Sequence, residues 1–534
     1  MLTYPFSGAE PLYQQLYRFI RTDILAGRLA AGDKLPSKRA LARQLNVSVV
    51  TVEGAYDQLV SEGFLEARPR VGYFAASLPR DGRASALAEE PDAAREGEST
   101  AGQQITLARD SGSSVGQKPS EIREAGIGAG QVSASEEGPV RSAAAEDAPA
   151  RPLWRYDLSA SRTPSEIFPF SVWARITRSL LTEQREALLQ TSPANGILPL
   201  REAIARHLYE YAGLRVSPHR IVVGAGTEYL YGLLIQLLGF DKTYGVEWPG
   251  YQKILRISES CGVRTEKIAL DESGIRPDRL RAQGVDIVHI TPSHQYPTGI
   301  TMPAARRYEL LQWALGGDRY IIEDDYMSEF ALSHRPIEPL FSIDRDSRVI
   351  YLNTFNRKLA ATVRISYMVL PEPLAQRFAR QLDFYACTVS TFEQHTLARF
   401  IGDGFFEKHI NRLRTYYRHR RDALLEALRE SPLAGVSRVV NENAGLHLLL
   451  QMDLHGSDAA FASALERRGI RLVLMPDRGP AGEDAARTGP GAALPASAAS
   501  APRTFIVSYT GVDPEEAPEV LREVYEAYRE VERE

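Results

Sequence analysis

Asp324 and Tyr326 stand two residues apart at the end of an apolar run, Ile321-Ile322-Glu323. In extended chain residues two apart share a face, so this carboxylate and this phenol are expected to point into one site. A carboxylate set against a heteroaromatic nitrogen keeps that nitrogen protonated, and a phenol can hydrogen-bond an oxygen on the same ring. The plainer alternative for the acids is a helix N-terminus or a solvated turn. Gly224-Ala225-Gly226-Thr227 follows another apolar run and opens a helical one. Backbone N–H groups and a hydroxyl at a helix N-terminus make an anion site, although a Gly-rich turn is also explained by close packing. Trp248-Pro249-Gly250-Tyr251 puts an aromatic ring after a strand, where it can stack on a flat ligand, and the turn-rich loop 291–299 follows a further strand. Arg357 and Lys358 are neighbours in the turn after the run 349–352. An amine that loses its proton can attack a carbonyl carbon, and burial beside a cation favours that loss. A guanidinium stays protonated and cannot do this.

These residues need a scaffold that brings strand ends together. From Trp154 onward, helices alternate with short apolar strands over 221–223, 243–247, 287–290, 320–323, 349–352 and 365–370. Such alternation predicts a largely parallel sheet with helices on both faces, an α/β fold whose chemistry gathers at the strand ends.

A different kind of text precedes it. Leu12, Leu16, Ile20 and Ile24 recur every four residues, predicting a helix with one apolar stripe that Gly27 ends. Ser37 is placed to cap a short helix over 38–45, with Ala42 and Leu45 inward, and Ser48 to cap a third with Val52, Ala55 and Leu59 inward. Two short strands, 64–67 and 73–74, then flank a turn containing Arg68, Arg70 and Gly72. Helix, short helix, turn, helix and basic hairpin describe a winged helix-turn-helix. A helical dimerisation domain with solvated charges is the alternative. It leaves unexplained why Lys34, Lys38, Arg39, Arg43, Arg68 and Arg70 gather around the two turns.

At 534 residues two or more domains are expected, and 44% hydrophobic with 25% charged residues is the composition of a soluble globular protein. A net charge of −5 gives no global sign of nucleic-acid binding, and residues 1–75 are only mildly basic, with nine Lys/Arg against seven Asp/Glu. Two cysteines, Cys261 and Cys387, suggest neither a disulfide framework nor a metal cluster and fit a reducing cytoplasm. No signal-peptide pattern opens the chain, and the most apolar stretch, 229–240, is too short to span a bilayer. Residues 77–152 and 477–502 are rich in Ala, Gly, Ser and Glu or Asp without apolar period, predicting a long disordered linker and a surface insertion. The expected domains are therefore 1–76, the linker 77–152, and 153–534 containing the insertion.

The N-terminal residues closely resemble the GntR family: Pro11-Leu12-Tyr13, Leu35-Pro36-Ser37-Lys38-Arg39, Val47-Ser48 with Thr51-Val52, and Glu62-Gly63. The common pattern has arginine after the serine, where Val49 stands here. The stretch from Val349 to Arg364 resembles the cofactor-lysine segment of fold-type I aminotransferases, which bind pyridoxal phosphate (PLP). That segment reads Thr-Phe-Ser-Lys, with an arginine seven residues beyond the lysine. Thr354, Phe355 and Arg364 align without a gap, but Asn356 and Arg357 replace the serine and the Schiff-base lysine. With the other strand-end signals in family order, the chain is identified as a member of the MocR type of GntR regulator.

The resemblance implies a winged helix-turn-helix joined by a linker to a class I aminotransferase-like domain that pairs as a homodimer. It implies a transcription factor binding a double-stranded DNA operator and sensing PLP or a PLP–amino acid adduct, with an amino acid or amine as effector. Ser37, Lys38 and Arg39 would meet phosphate or base edges, Ser48 and Thr51 would enter the major groove, and Arg70 would belong to the wing. Gly226 and Thr227 would hold the cofactor phosphate, Tyr251 would lie near the ring, Asp324 would pair with its nitrogen and Tyr326 with its oxygen. Arg364 would stand near the phosphate or the substrate, and Arg357 at the lysine's place. Met327 stands where an acid is usual, and Ile506 where some members carry an arginine for a substrate carboxylate. One alternative is a working aminotransferase with Lys358 as the Schiff-base lysine. A one-residue step turns that side chain to the opposite face, however, and Arg364 keeps its spacing from 357. The other alternative is a regulator whose C-terminal domain is a cofactor-free dimerisation scaffold.

Overall fold

The computed structural model describes residues 4–6, 11–78, 154–159, 163, 165–330, 337–442, 445–476 and 502–533. The expected linker and insertion lie outside these residues, apart from Ser77, Leu78 and Pro502.

The N-terminal part is three helices and a small sheet. Helix α1 spans Leu12–Leu25, α2 Lys38–Leu45 and α3 Val49–Ser61, and the strands Lys34–Leu35, Leu65–Arg68 and Gly72–Ala75 form an antiparallel sheet. Leu16, Ile20 and Ile24 meet Val52, Ala55, Tyr56 and Leu59 in the core. One expectation fails at a helix end. Leu12 is exposed, because it begins α1 before the helix reaches the core; in α2, Ala42 is buried and Leu45 packs half-buried against the core as expected, and Leu41 joins them. The strand Lys34–Leu35 was not legible, since two residues carry no alternation.

The C-terminal part is built on an eight-stranded sheet. Its order is Ile221–Gly224, Ser366–Val369, Val349–Thr354, Tyr320–Asp324, Ile287–Ile290, Thr243–Trp248, Arg264–Asp271 and Gly274–Ile275. The central strands run parallel, whereas Ser366–Val369 is antiparallel to both neighbours. Val349–Thr354 is buried along its whole length. Tyr351 enters the core on one face of the sheet, while Ile350 and Leu352 enter that on the other, as the strand's period of two requires. A second, four-stranded sheet of Ser437–Val440, His447–Met452, Arg503–Ser508 and Val473–Leu474 accompanies the long helix Phe405–Glu430 and the terminal helix Ala517–Arg533. Among the described residues no helix is long and apolar enough to cross a membrane.

The winged helix-turn-helix rests on the helix Ala304–Leu315. Ala304 N donates to Glu62 O at 2.8 Å, Ala304 and Tyr308 join the N-terminal core, and Arg21 of α1 pairs with Glu338. At Gly63 even a methyl group would collide with Pro303, its Cβ lying 2.7 Å from that ring.

Candidate functional site

The strand ends converge on a cavity of about 180 Å³ lined by Thr227, Tyr251, Asp324, Tyr326, Arg357 and Arg364, with Glu228, Lys253, Thr291, Tyr296 and Asn356 among the remaining walls. Tyr320–Asp324 lies parallel to Val349–Thr354, with Asp324 opposite Leu352, which brings the two polar turns side by side. Alternation then sorts the acids. Asp324 and Tyr326 line the cavity, while Asp325 between them turns into the core and accepts from Tyr351 and Ser328 hydroxyls, each at 2.7 Å.

Thr227 begins the helix Thr227–Leu238, so its amide is one of the unpaired N–H groups of that terminus. Gly226 stands behind the rim at φ 95°, where a Cβ would lie 2.6 Å from Arg364 and 2.7 Å from Glu228. The left-handed conformation favours glycine there, and a side chain would in addition have to push the ends of Arg364 and Glu228 aside. Glu228 takes Lys253 and Arg364 together, and despite partial burial these partners hold its carboxyl below the usual range. Asp324 Oδ2 lies 3.6 Å from His289 Nε2. Tyr326 donates to His294 O at 3.2 Å, and burial pushes its phenol well up. Tyr251, Tyr296 and His447 form an edge-to-face aromatic row, with centroids 6.1 and 5.5 Å apart.

Arg357 and Lys358 separate. Arg357 is exposed toward the cavity, whereas Lys358 is buried and absent from its walls. Lys358 Nζ donates to Glu329 Oε1 at 2.5 Å and also to Asn353 Oδ1. A polar network extends beneath the sheet ends. His207 lies 3.6 Å from Glu329 and 2.8 Å from Glu407, and Arg414 Nε donates to Glu329 O at 2.6 Å. Burial alone would raise the Glu329 carboxyl, but Lys358 and His207 reverse this and hold it low. His207 moves up despite its own burial, because Glu329 and Glu407 favour its charged form.

In the N-terminal part, Ser37 Oγ accepts from Ala40 N at 3.2 Å and Ser48 Oγ from Thr51 N at 3.0 Å, so both hydroxyls cap their helices. Ser48 and Thr51 hydroxyls lie 2.8 Å apart. Lys38 bridges α2 to α3 through Glu53 at 2.9 Å and Asp57 at 3.0 Å. Arg39 is exposed, and Arg70 is exposed at the wing turn with φ 65°. Val50 at the start of α3 is 74% exposed. Among the described residues, the contacts with Ala304–Leu315 and the residue before it come from the N-terminal core, Glu62 and Gly63, not from Arg39, Val50 or Arg70.

Lys253, Tyr296 and the network of Glu329, His207 and Glu407 were not singled out from sequence. Lys253 stands two residues after Tyr251, so the helix start there was a usable signal. The network has none, since its members come from helices and turns far apart in the chain.

Residues 12–74 match the model of the bacterial regulatory proteins of the gntR family. The chain is 33% identical over 462 residues to an uncharacterised HTH-type transcriptional regulator, YdeL, of Bacillus subtilis (strain 168), covering 86% of this chain and 88% of that one. It is 29% identical over 475 residues to the probable rhizopine catabolism regulatory protein MocR of Rhizobium meliloti, covering 88% of each. Among solved structures, it is similar to the Pyrococcus horikoshii kynurenine aminotransferase in complex with PMP, with a TM-score of 0.58 and 25% identity, over 70% of this chain and 91% of that one.

Proposed function

This chain belongs to the MocR type of GntR transcriptional regulator, a DNA-binding domain fused to an aminotransferase-like domain, and from that premise we propose that its cavity senses PLP or a PLP–amino acid adduct without covalent attachment. The observation that carries this reading is the joint presence of Thr227, Tyr251, Asp324, Tyr326 and Arg364 around one cavity while the buried Lys358 pairs with Glu329.

The residues present fit the group. Asn356 Oδ1 is buried in the cavity wall without a hydrogen-bond partner among the described residues, and the Gly226 turn keeps the approach to the helix N-terminus clear of any Cβ. Thr227 and Arg364 would hold the phosphate, Asp324 would face the ring nitrogen and Tyr326 the ring oxygen. When bound, the group would supply an electron-poor ring; the chain supplies charge complementarity and shape. The cofactor is thereby a sensed ligand, and transamination is not part of this reading.

Ser37, Arg39, Ser48, Thr51 and Arg70 would contact an operator, with Lys38 setting the angle of α2 to α3. A homodimer fits the exposed apolar residues Phe170, Leu189, Phe384 and Phe392 of the C-terminal part. The test is calorimetry of PLP binding to wild type and Asp324→Ala. Binding by wild type that Asp324→Ala abolishes is expected; equal affinities would return the domain to a cofactor-free scaffold.

A further inference from the structure

Three cations line the cavity, and two of them are occupied: Lys253 and Arg364 share Glu228. Arg357 differs. It is exposed to the cavity and makes no hydrogen bond or ion pair with any described residue. Its charge is felt by Tyr296, Tyr326, Tyr417 and His447. Burial pushes the three phenols up and the His447 imidazole down, so all four are neutral at neutral pH. Arg357 therefore faces the cavity as a cation without an ion-pair partner among the described residues, with the neutral Tyr296 and Tyr326 in the same walls.

A planar guanidinium left free in a cavity wall matches a carboxylate in two parallel hydrogen bonds. No such cation comes from the neighbouring sheet. Ile506 is buried in the strand Arg503–Ser508, and Arg503 Nε is turned to Asp458 Oδ1 at 2.7 Å. Beside Arg357, Asn356 Oδ1, which has no partner among the described residues, can accept an N–H.

We propose that Arg357 is the carboxylate anchor of the cavity, so that the preferred ligand is an amino acid already joined through its nitrogen to a phosphopyridoxyl group. This rests on the reading of the cavity as a PLP-type site. An arginine cannot form the bond a lysine would make to the aldehyde carbon, so the ligand must bring its own nitrogen there. The amino acid's carboxylate then neutralises Arg357, and its N–H meets Asn356. Pyridoxamine phosphate, with a cationic amine on the same carbon and no carboxylate, is disfavoured by the same charge.

The test compares two stable probes, N-(5′-phosphopyridoxyl)-L-alanine and N-(5′-phosphopyridoxyl)-ethylamine, which differ only in the carboxylate. Each is titrated calorimetrically, alongside PLP, into the full-length protein and into Arg357→Gln. The expected result is that wild type prefers the alanine probe by at least about tenfold, the equivalent of one charge-assisted hydrogen bond. Arg357→Gln, with an unchanged thermal transition, should lose that preference while still binding the ethylamine probe. Equal binding of the two probes by wild type, or a preference that survives in Arg357→Gln, overturns the carboxylate anchor and leaves the cofactor reading standing. Failure of all three ligands to bind wild type overturns both.

Discussion

Lys358 Nζ lies 2.5 Å from Glu329 Oε1, with the two side chains 1% and 2% exposed. A buried pair of this kind holds each charge by means of the other, and removing one partner strands the second in a low-dielectric interior. Lys358 is thereby a structural cation, turned away from the cavity that its neighbour Arg357 lines.

The first prediction follows from that pair. Lys358→Met should destabilise the C-terminal domain by about 3–5 kcal/mol, because Glu329 is left uncompensated. The folded fraction should bind PLP with wild-type affinity. Denaturant unfolding and calorimetry on the same preparation separate the two effects, and peptide mapping of borohydride-reduced wild type should find no pyridoxyl mass on Lys358.

Position 357 should behave differently. Arg357→Lys places an amine in the cavity wall, so reduction with borohydride in the presence of PLP should leave a pyridoxyl mass at residue 357. Its absence, with PLP bound, would mean that the turn directs this side chain away from the aldehyde carbon.

Stability should depend on pH in a direction that the buried groups set. Burial, with Asp325 adding to it against the pull of Arg307, pushes Glu323 from 4.5 up to about 7. Between those values the folded state holds a proton that the unfolded state has lost, so stability rises as pH falls from above 7 toward 4.5. His207, raised above 6.5, acts in the same direction: its contribution is complete below 6.5 and is lost as pH rises through the folded value. Glu329, held below 4.5, contributes above 4.5 and is lost as pH falls further. A melting temperature that is highest near pH 5 and lower at pH 8 and pH 3.5 is expected, and Glu323→Gln should flatten the limb between pH 5 and 8. A wild-type profile that climbs steadily from pH 5 to 8 would contradict this assignment.

On the DNA side, Arg39 is exposed and Lys38 is engaged by Glu53 and Asp57. Arg39→Ala should weaken binding to an operator by about 1–3 kcal/mol if it reads a base. Lys38→Ala should instead show as a stability loss below about 1 kcal/mol, with a smaller effect on affinity. Wild-type affinity for a site with two half-sites should fall steeply with salt. Electrophoretic mobility shifts over a salt series check these expectations, and salt-independent binding would count against the basic face.

Much of the scaffold was legible because it follows from local geometry. A period near four marks α1, and alternation places Asp324 and Tyr326 together while sending Asp325 the other way. Arg357 and Lys358 part company for another reason: they lie in a turn in which Lys358 N and Leu359 N both donate to Phe355 O, and it is this turn that sends Lys358 inward. The strand Arg264–Asp271 escaped notice because Arg264, Glu266 and Lys267 break its apolar character near the sheet's edge. The destination of the Lys358 side chain was also hidden, although its direction was not. Glu329, His207 and Glu407 lie on separate elements, and only the closed fold brings their charges within reach of one another. The docking of Arg21 on Glu338 has the same origin, an ion pair across hundreds of residues that leaves no periodic trace. Local repeats along the backbone determined the elements and which way their side chains turn. Only tertiary closure decided which charge each side chain meets, because that depends on distances set by the whole chain.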